Sequence, residues 1–229
     1  MRLGHYSFQS PIEFLENWNH YLIIENPRQL SEYIIEMNNQ LEGEEGGFIL
    51  MHEDDVLEIQ KHVEMIIDPF SIDPNTKKNV SSLHDLINKM AYDDVCYIRT
   101  EGIVSELSSY VEELSIQQSV YSIPMKEIDF KGLLKMTDVR FNADPEAILE
   151  RICCFIDITN EFSGVDLFIF INLRSFLTDE EIESFHEFVN YRKVRVLHIE
   201  NKIFEFKRDD SVKIIDKDLC EIPVNDCKG

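Results

Sequence analysis

Between residues 166 and 200 the hydrophobic pattern changes period twice, and those changes organise the reading of the whole chain. Leu167, Phe168, Ile169, Phe170 and Ile171 are apolar at every position, as a strand covered on both faces requires. Thr178 stands three residues before Glu181, a pair that can satisfy a helix's first free N–H groups from both directions. Asp179 and Glu180 add negative charge at the positive end of that helix dipole. Ile182, Phe185 and Val189 then recur at helical spacing, and the run 194–199 reads as a second strand. The pattern predicts a β-α-β unit with a right-handed crossover and a locally parallel, central first strand.

Upstream, the short alternations Tyr6/Phe8 and Ile12/Phe14, broken by Pro11, suit a small edge hairpin. The run 21–24 is a strand leading into Asn26-Pro27, a helix cap followed by the helical position where proline costs nothing. Leu30, Ile34, Met37 and Leu41 mark the buried stripe of that helix, and the stretch 43–47 stops it with glycines. Two further strands are predicted at 48–51 and 62–67, in the same α/β layer. After Pro69 the text becomes helical. Val80, Leu83, Ile87 and Met90 form one stripe and Ile103, Leu107, Tyr110, Val111 and Leu114 another; Pro124 interrupts, a short helix follows over 130–136, and Asp144-Pro145 opens a last helix carrying Ile148, Ile152, Phe155 and Ile156. The apolar groups around 203–206 and 212–215 suit a terminal hairpin or edge strands. The expected fold class is α/β: a discontinuous head domain, residues 1–69 plus 163–229, with a mixed, largely parallel sheet, interrupted by an all-helical arm at 70–162.

Composition narrows the function. The chain carries 44 acidic against 22 basic residues, a formal charge of −22, which repels nucleic acid and anionic membranes unless the basic groups are gathered in one place. Five cysteines, with no CxxC pair and one adjacent couple (Cys153, Cys154), indicate neither a zinc site nor a disulfide framework, and fit reduced thiols in a cytoplasmic compartment. The first residues lack a signal-peptide core, and no stretch approaches the roughly 20 apolar residues needed to span a bilayer. Neither export nor membrane insertion is expected.

The phosphate-cradling glycines of nucleotide-binding α/β folds are missing, since neither GxxxxGK[ST] nor GxGxxG occurs. His52, Glu53 and Asp55 have the ligand types of a Mg²⁺ or Mn²⁺ site, but consecutive residues seldom all point at one ion, and a solvated turn explains them as well. Cys153 and Cys154 lie on an apolar helix, where thiols are buried and inert. His186 and His198 read as residues that finish packing surfaces. The basic residues concentrate in three places: Lys126, Lys131, Lys135 and Arg140; Lys77 and Lys78; and 192–195. Lys131 and Lys135 share one helical face. Each group alone reads as a solvated face, and an oligomer that aligned them would focus their field on one surface.

The order of parts then carries a resemblance. The strand ending in Asn172, the Phe176-Leu177-Thr178-Asp179-Glu180-Glu181 helix start, the strand ending in His198-Ile199-Glu200, and weaker matches at Ser7-Phe8 to Pro11-Ile12, Ile66-Ile67-Asp68 and Ile214-Ile215-Asp216 are similar to the CRISPR-associated spacer-acquisition proteins of subtype II-A, the Csn-two family. The resemblance implies a degenerate relative of the phosphate-loop ATPases, without the loop and without catalysis. It implies a ring-shaped homotetramer that binds the ends of linear double-stranded DNA and acts with the CRISPR integrase complex and the effector nuclease in antiviral defence. Together with the basic concentrations above, it makes Lys126, Lys131, Lys135 and Arg140 the expected DNA contacts, with Lys77, Lys78 and Arg174 as further contacts. It also implies calcium held by an acidic segment of the arm. The matching stretch here offers only Glu127, with Asp129 beyond it, fewer carboxylates than the six to eight oxygens Ca²⁺ takes would draw on. Two other readings stay open: a metal-dependent nuclease or nucleotide hydrolase using His52, Glu53 and Asp55, and a protein-interaction scaffold that does not bind DNA.

Overall fold

The computed structural model describes residues 1–118, 127–143 and 145–223, and it divides the chain into two units, Met1–Asp73 with Ala143–Gly229, and Pro74–Asn142. The first unit is built on a six-stranded sheet of β3 (Asn19–Ile24), β6 (Val63–Ile66), β7 (Leu167–Ile171), β8 (Arg195–Glu200), β9 (Asp210–Ile215) and β10 (Glu221–Pro223). The order is β10-β9-β3-β8-β7-β6. Every pairing is parallel except β9 with β10, so the α/β class with a mixed, largely parallel sheet holds. β7 is buried at all of its positions and lies between β6 and β8, which is why polar residues are excluded from both of its faces.

The register explains the layers. Phe168 lies opposite Val196, and Phe170 opposite His198, which in turn lies opposite Tyr21. On this face Phe168, Phe170 and Val196 pack against α6 (Ile148–Ser163) and α7 (Asp179–Arg192) through Ile152, Phe155, Ile156, Ile182 and Phe185. On the other face Leu22, Ile24, Ile169 and Leu197 pack against Leu30, Tyr33 and Met37 of α1 (Pro27–Leu41). Burying one such phenylalanine or leucine is worth about 1.5–3 kcal/mol. Both helix starts foreseen from sequence are present. Asn26 accepts from the amides of Arg28 and Gln29 with Pro27 behind it, and Thr178 and Glu181 form the complete capping box on α7.

Several expectations are corrected. The strand expected at 48–51 is β4 (Phe48–His52), but it belongs to a separate antiparallel sheet, β2-β1-β4-β5, with β1 (Arg2–His5), β2 (Ile12–Glu13) and β5 (Asp55–Leu57). Phe48 and Leu50 are buried while Ile49 is exposed, the alternation of a strand covered on one side only. The expected N-terminal edge hairpin is β1 with β2, and pairing with β4 makes β1 an inner strand. The strand at 62–67 is shorter, because one helical turn, α2 (Ile59–His62), precedes β6. The arm expected at 70–162 ends at Asn142, since α6 joins the first unit through the contacts of Ile152, Phe155 and Ile156.

At the carboxyl edge, 203–206 form no strand, and Phe204 instead sets its ring 4.7 Å from Tyr21. The second unit contains α3 (Lys77–Ala91), α4 (Tyr97–Gln118) and α5 (Phe130–Met136). Pro124 lies outside the described residues, as does Asp144; α6 begins at Ile148 with no side-chain cap.

Candidate nucleic-acid interface

α3 begins on a firmly held turn. Thr76 caps it by accepting from the amide of Asn79 at 3.2 Å, and the buried Asn79 donates its side-chain amide to the carbonyl of Pro74 at 2.9 Å. Lys77 and Lys78 occupy the first two helical positions, both exposed. Two cations at the positive end of a helix dipole oppose the helix's own field, and the field there favours an anion.

The segment after α5 is tied to the same helix. Asn75 donates to the carbonyl of Phe141 at 3.2 Å and accepts from its amide at 2.9 Å, while His84 Nε2 donates to the carbonyl of Val139 at 2.9 Å. Arg140 therefore comes back to the region where α3 begins. α5 packs on α3, Asp129 caps it through the amide of Gly132, and Lys131 forms an ion pair with Asp85 of α3. Lys135, one turn on, is exposed.

The sequence-predicted basic residues thus fall into three situations. Lys77, Lys78, Lys131, Lys135 and Arg140 share the α3–α5 substructure. Lys126 lies outside the described residues. Arg174 belongs to the first unit, in the turn after β7, where its guanidinium pairs with Asp179 and lies 4.1 Å from the centre of the Phe204 ring. Within the second unit, Arg140 pairs with Asp138 at 2.6 Å and Lys131 with Asp85, whereas Lys77 and Lys135 enter no ion pair among the described residues. Exposed pairs of this kind are worth about 0–1 kcal/mol, so a phosphate can displace either carboxylate. Residues 75–91 and 127–142 together hold six basic against four acidic side chains. α4 holds one against four, so the positive charge lies on one substructure of the unit.

α4 is unusual in another respect. Ile103, Tyr110 and Leu114 are 47%, 58% and 43% exposed, and with Leu107 they repeat at intervals of four, three and four residues, the spacing of a helix–helix seam. Ile103, Leu107 and Tyr110 line a shallow apolar groove with Glu106 and Glu113 at its margin.

The other candidates are less convergent. His52, Glu53 and Asp55 sit at the turn between β4 and β5, with His52 opposite Asp55 and Glu53 at φ +53°. Among the described residues no three His, Cys, Asp or Glu side chains gather as a metal site needs. The carboxylate of Asp129, the other sequence-predicted metal ligand besides Glu127, is engaged as the cap of α5. Cys153 and Cys154 are half-buried, and burial pushes the Cys153 thiol up to about 11, which makes it a poor nucleophile. His186 and His198 form more than packing surfaces, because their Nε2 atoms lie 3.1 Å apart beside Tyr21. Among the described residues no helix is long and apolar enough to cross a membrane.

Asn75 and His84, which hold the basic segment in place, were missed from sequence. Their partners are backbone groups more than fifty positions away, and no local spacing announces such a contact.

These features define a mixed α/β protein with an inserted, partly basic helical unit. The chain belongs to the CRISPR-associated protein family Cas_Csn2, whose model matches residues 40–219. Comparison with curated proteins found no match.

Proposed function

We propose that this protein binds the ends of linear double-stranded DNA during CRISPR spacer acquisition of subtype II-A, as a homotetrameric ring in the cytoplasm, and that this binding involves no catalysis on the DNA. The observation that carries the reading is the collection of Lys77, Lys78, Lys131, Lys135 and Arg140 on one helical substructure of a chain whose formal charge is −22. A polyanion can be held by such a chain only where cations outnumber carboxylates locally, and self-association multiplies that local excess. The apolar seam of α4 supports self-association, because an exposed stripe of this length on a helix marks a protein contact. Membership of a CRISPR-associated family supports a role in antiviral defence, and the integrase complex and effector nuclease are the partners this reading assigns to it.

Binding through phosphates falls steeply with salt and depends little on sequence. In a gel-retardation titration, linear duplex is retained at 50 mM salt and released by 300 mM, while a closed circle of the same sequence binds more weakly. Lys131→Glu with Lys135→Glu weakens retention tenfold or more and leaves the native mass unchanged. Undiminished retention by that double variant removes α5 from the interface. Retention that ignores salt, or a monomer at every concentration, overturns the reading.

A further inference from the structure

The loop after β1 carries an arrangement unrelated to the basic substructure. His5, the last residue of β1, is buried among the rings of Phe48, Tyr33 and Phe8, with centroids at 4.6, 4.9 and 5.4 Å. The amide of Ser7 points at its Nδ1 from 3.2 Å. That nitrogen must therefore present a lone pair, and Nε2 carries the hydrogen. Nε2–H donates to Glu36 Oε2 at 3.1 Å, and the other oxygen of Glu36 accepts from the amide of Gly47 at 2.6 Å. The approach needs a glycine, since a Cβ at position 47 would stand 2.6 Å from His5 Nε2 and 2.3 Å from the Tyr6 ring.

Ser7 Oγ lies 2.6 Å from His5 Nδ1 and also 2.6 Å from the hydroxyl of Tyr33. With the serine proton directed to the imidazole, the phenol is the donor to Oγ. Burial raises the Tyr33 pKa, which keeps that proton in place. Ser7 itself is exposed, next to an exposed Tyr6. Its loop is anchored to β10, where Glu221 accepts from the amide of Gln9 at 2.6 Å and from Lys213 at 2.6 Å. A hydroxyl, a base and an orienting carboxylate in sequence, with a phenol donating to the hydroxyl oxygen, have the roles of an activated nucleophile. The two imidazole nitrogens are used in the reverse of their common order.

We infer that Ser7 is an activated nucleophile and that the Ser7–His5–Glu36 relay makes it an acyl acceptor for small esters, an activity separate from the binding of DNA ends. Ser7 Oγ forms a bond to the ester carbonyl carbon as its proton passes to His5 Nδ1. The carbon–oxygen bond to the alcohol breaks, and Nδ1–H protonates the leaving oxygen. Water then attacks the acyl-serine and gives its proton to Nδ1, and that proton returns to Ser7 Oγ as the carboxylic acid leaves. The open position of Ser7 suits small, unselective acyl groups.

The full chain is treated with a fluorophosphonate probe and, separately, with p-nitrophenyl acetate. The expected result is one phosphonyl adduct on Ser7 by peptide mass spectrometry, absent in Ser7→Ala and in chain unfolded in urea. Release of p-nitrophenol above the Ser7→Ala background is expected with it. Glu36→Gln slows labelling at least tenfold, and Tyr33→Phe, which keeps the ring packing, slows it severalfold. No adduct on Ser7, an equal rate in urea, p-nitrophenol release equal to that of Ser7→Ala, or an unchanged rate in a folded Glu36→Gln or Tyr33→Phe chain overturns the assignment.

Discussion

His186 and His198 meet Nε2 to Nε2 at 3.1 Å, with the hydroxyl of Tyr21 3.3 Å from the His186 nitrogen and the Phe185 ring 5.9 Å from that of His198. A contact between two Nε2 atoms accommodates one proton and rejects a second. Burial, reinforced by Arg174 and Lys207, lowers the His186 pKa from 6.5 to about 4, and burial holds His198 well below its ordinary value. Between the folded and unfolded values the unfolded chain binds more protons. Stability from this pair is therefore complete well above pH 6.5 and falls as the pH drops toward 4. Urea midpoints at pH 7, 6 and 5 measure the slope, and equal midpoints at pH 7 and 5 contradict it. His186→Asn should flatten the curve.

The basic segment depends on Asn75. Asn75→Ala removes both of these hydrogen bonds to Phe141, at a cost of about 1–3 kcal/mol. Amide exchange at Phe141 should accelerate, and DNA retention should drop although no charge has changed. Retention equal to that of the native chain would dissociate the position of Arg140 from binding.

Assembly is tested on α4. Leu107→Asp puts a charge in the middle of the seam while costing the isolated unit little, because none of the neighbouring seam positions is buried. Native mass should fall to that of a smaller species, with the far-ultraviolet circular dichroism retained. An unchanged mass assigns self-association to another surface.

Two helix ends with left-handed backbone give opposite expectations. Gly164 closes α6 at φ +65° in open space, so Gly164→Ala pays only the backbone cost of about 1 kcal/mol. Lys193 closes α7 at φ +57°, and Lys193→Gly should stabilise by a similar amount, about 1 kcal/mol. Thermal melting of the two variants should move in opposite directions.

Where a local rule sufficed, the fold was legible. The all-apolar run of β7, the Asn26-Pro27 start of α1 and the Thr178/Glu181 box of α7 are each decided by neighbours within four residues. Phe48 to Met51 shows the limit. Four consecutive apolar residues read alike whether one face or both are covered, and only pairing with β1 leaves Ile49 in solvent. Likewise α6 has the same periodicity as the helices before it, and its membership of the first unit is decided by Phe168 and Phe170, across the turn at Gly164.

The basic positions could be found by counting charges, since 126–140 stands out in an acidic chain. What brings them together could not, because His84 and Asn75 act through distant carbonyls. The Ser7–His5–Glu36 relay was equally hidden. A serine two residues after a histidine is common, and the carboxylate enters from α1, thirty-one positions from His5.

β6 and β7 are hydrogen-bonded neighbours, although Pro74–Asn142 is inserted between them. α6, which packs on the β7 face, already supplies the crossover that two parallel strands require. The inserted helices are thus a detachable module. A gene splicing Asp73 to Ala143 would still encode an unbroken sheet, and such modules can diverge, be exchanged or be lost without the host fold having to be reinvented.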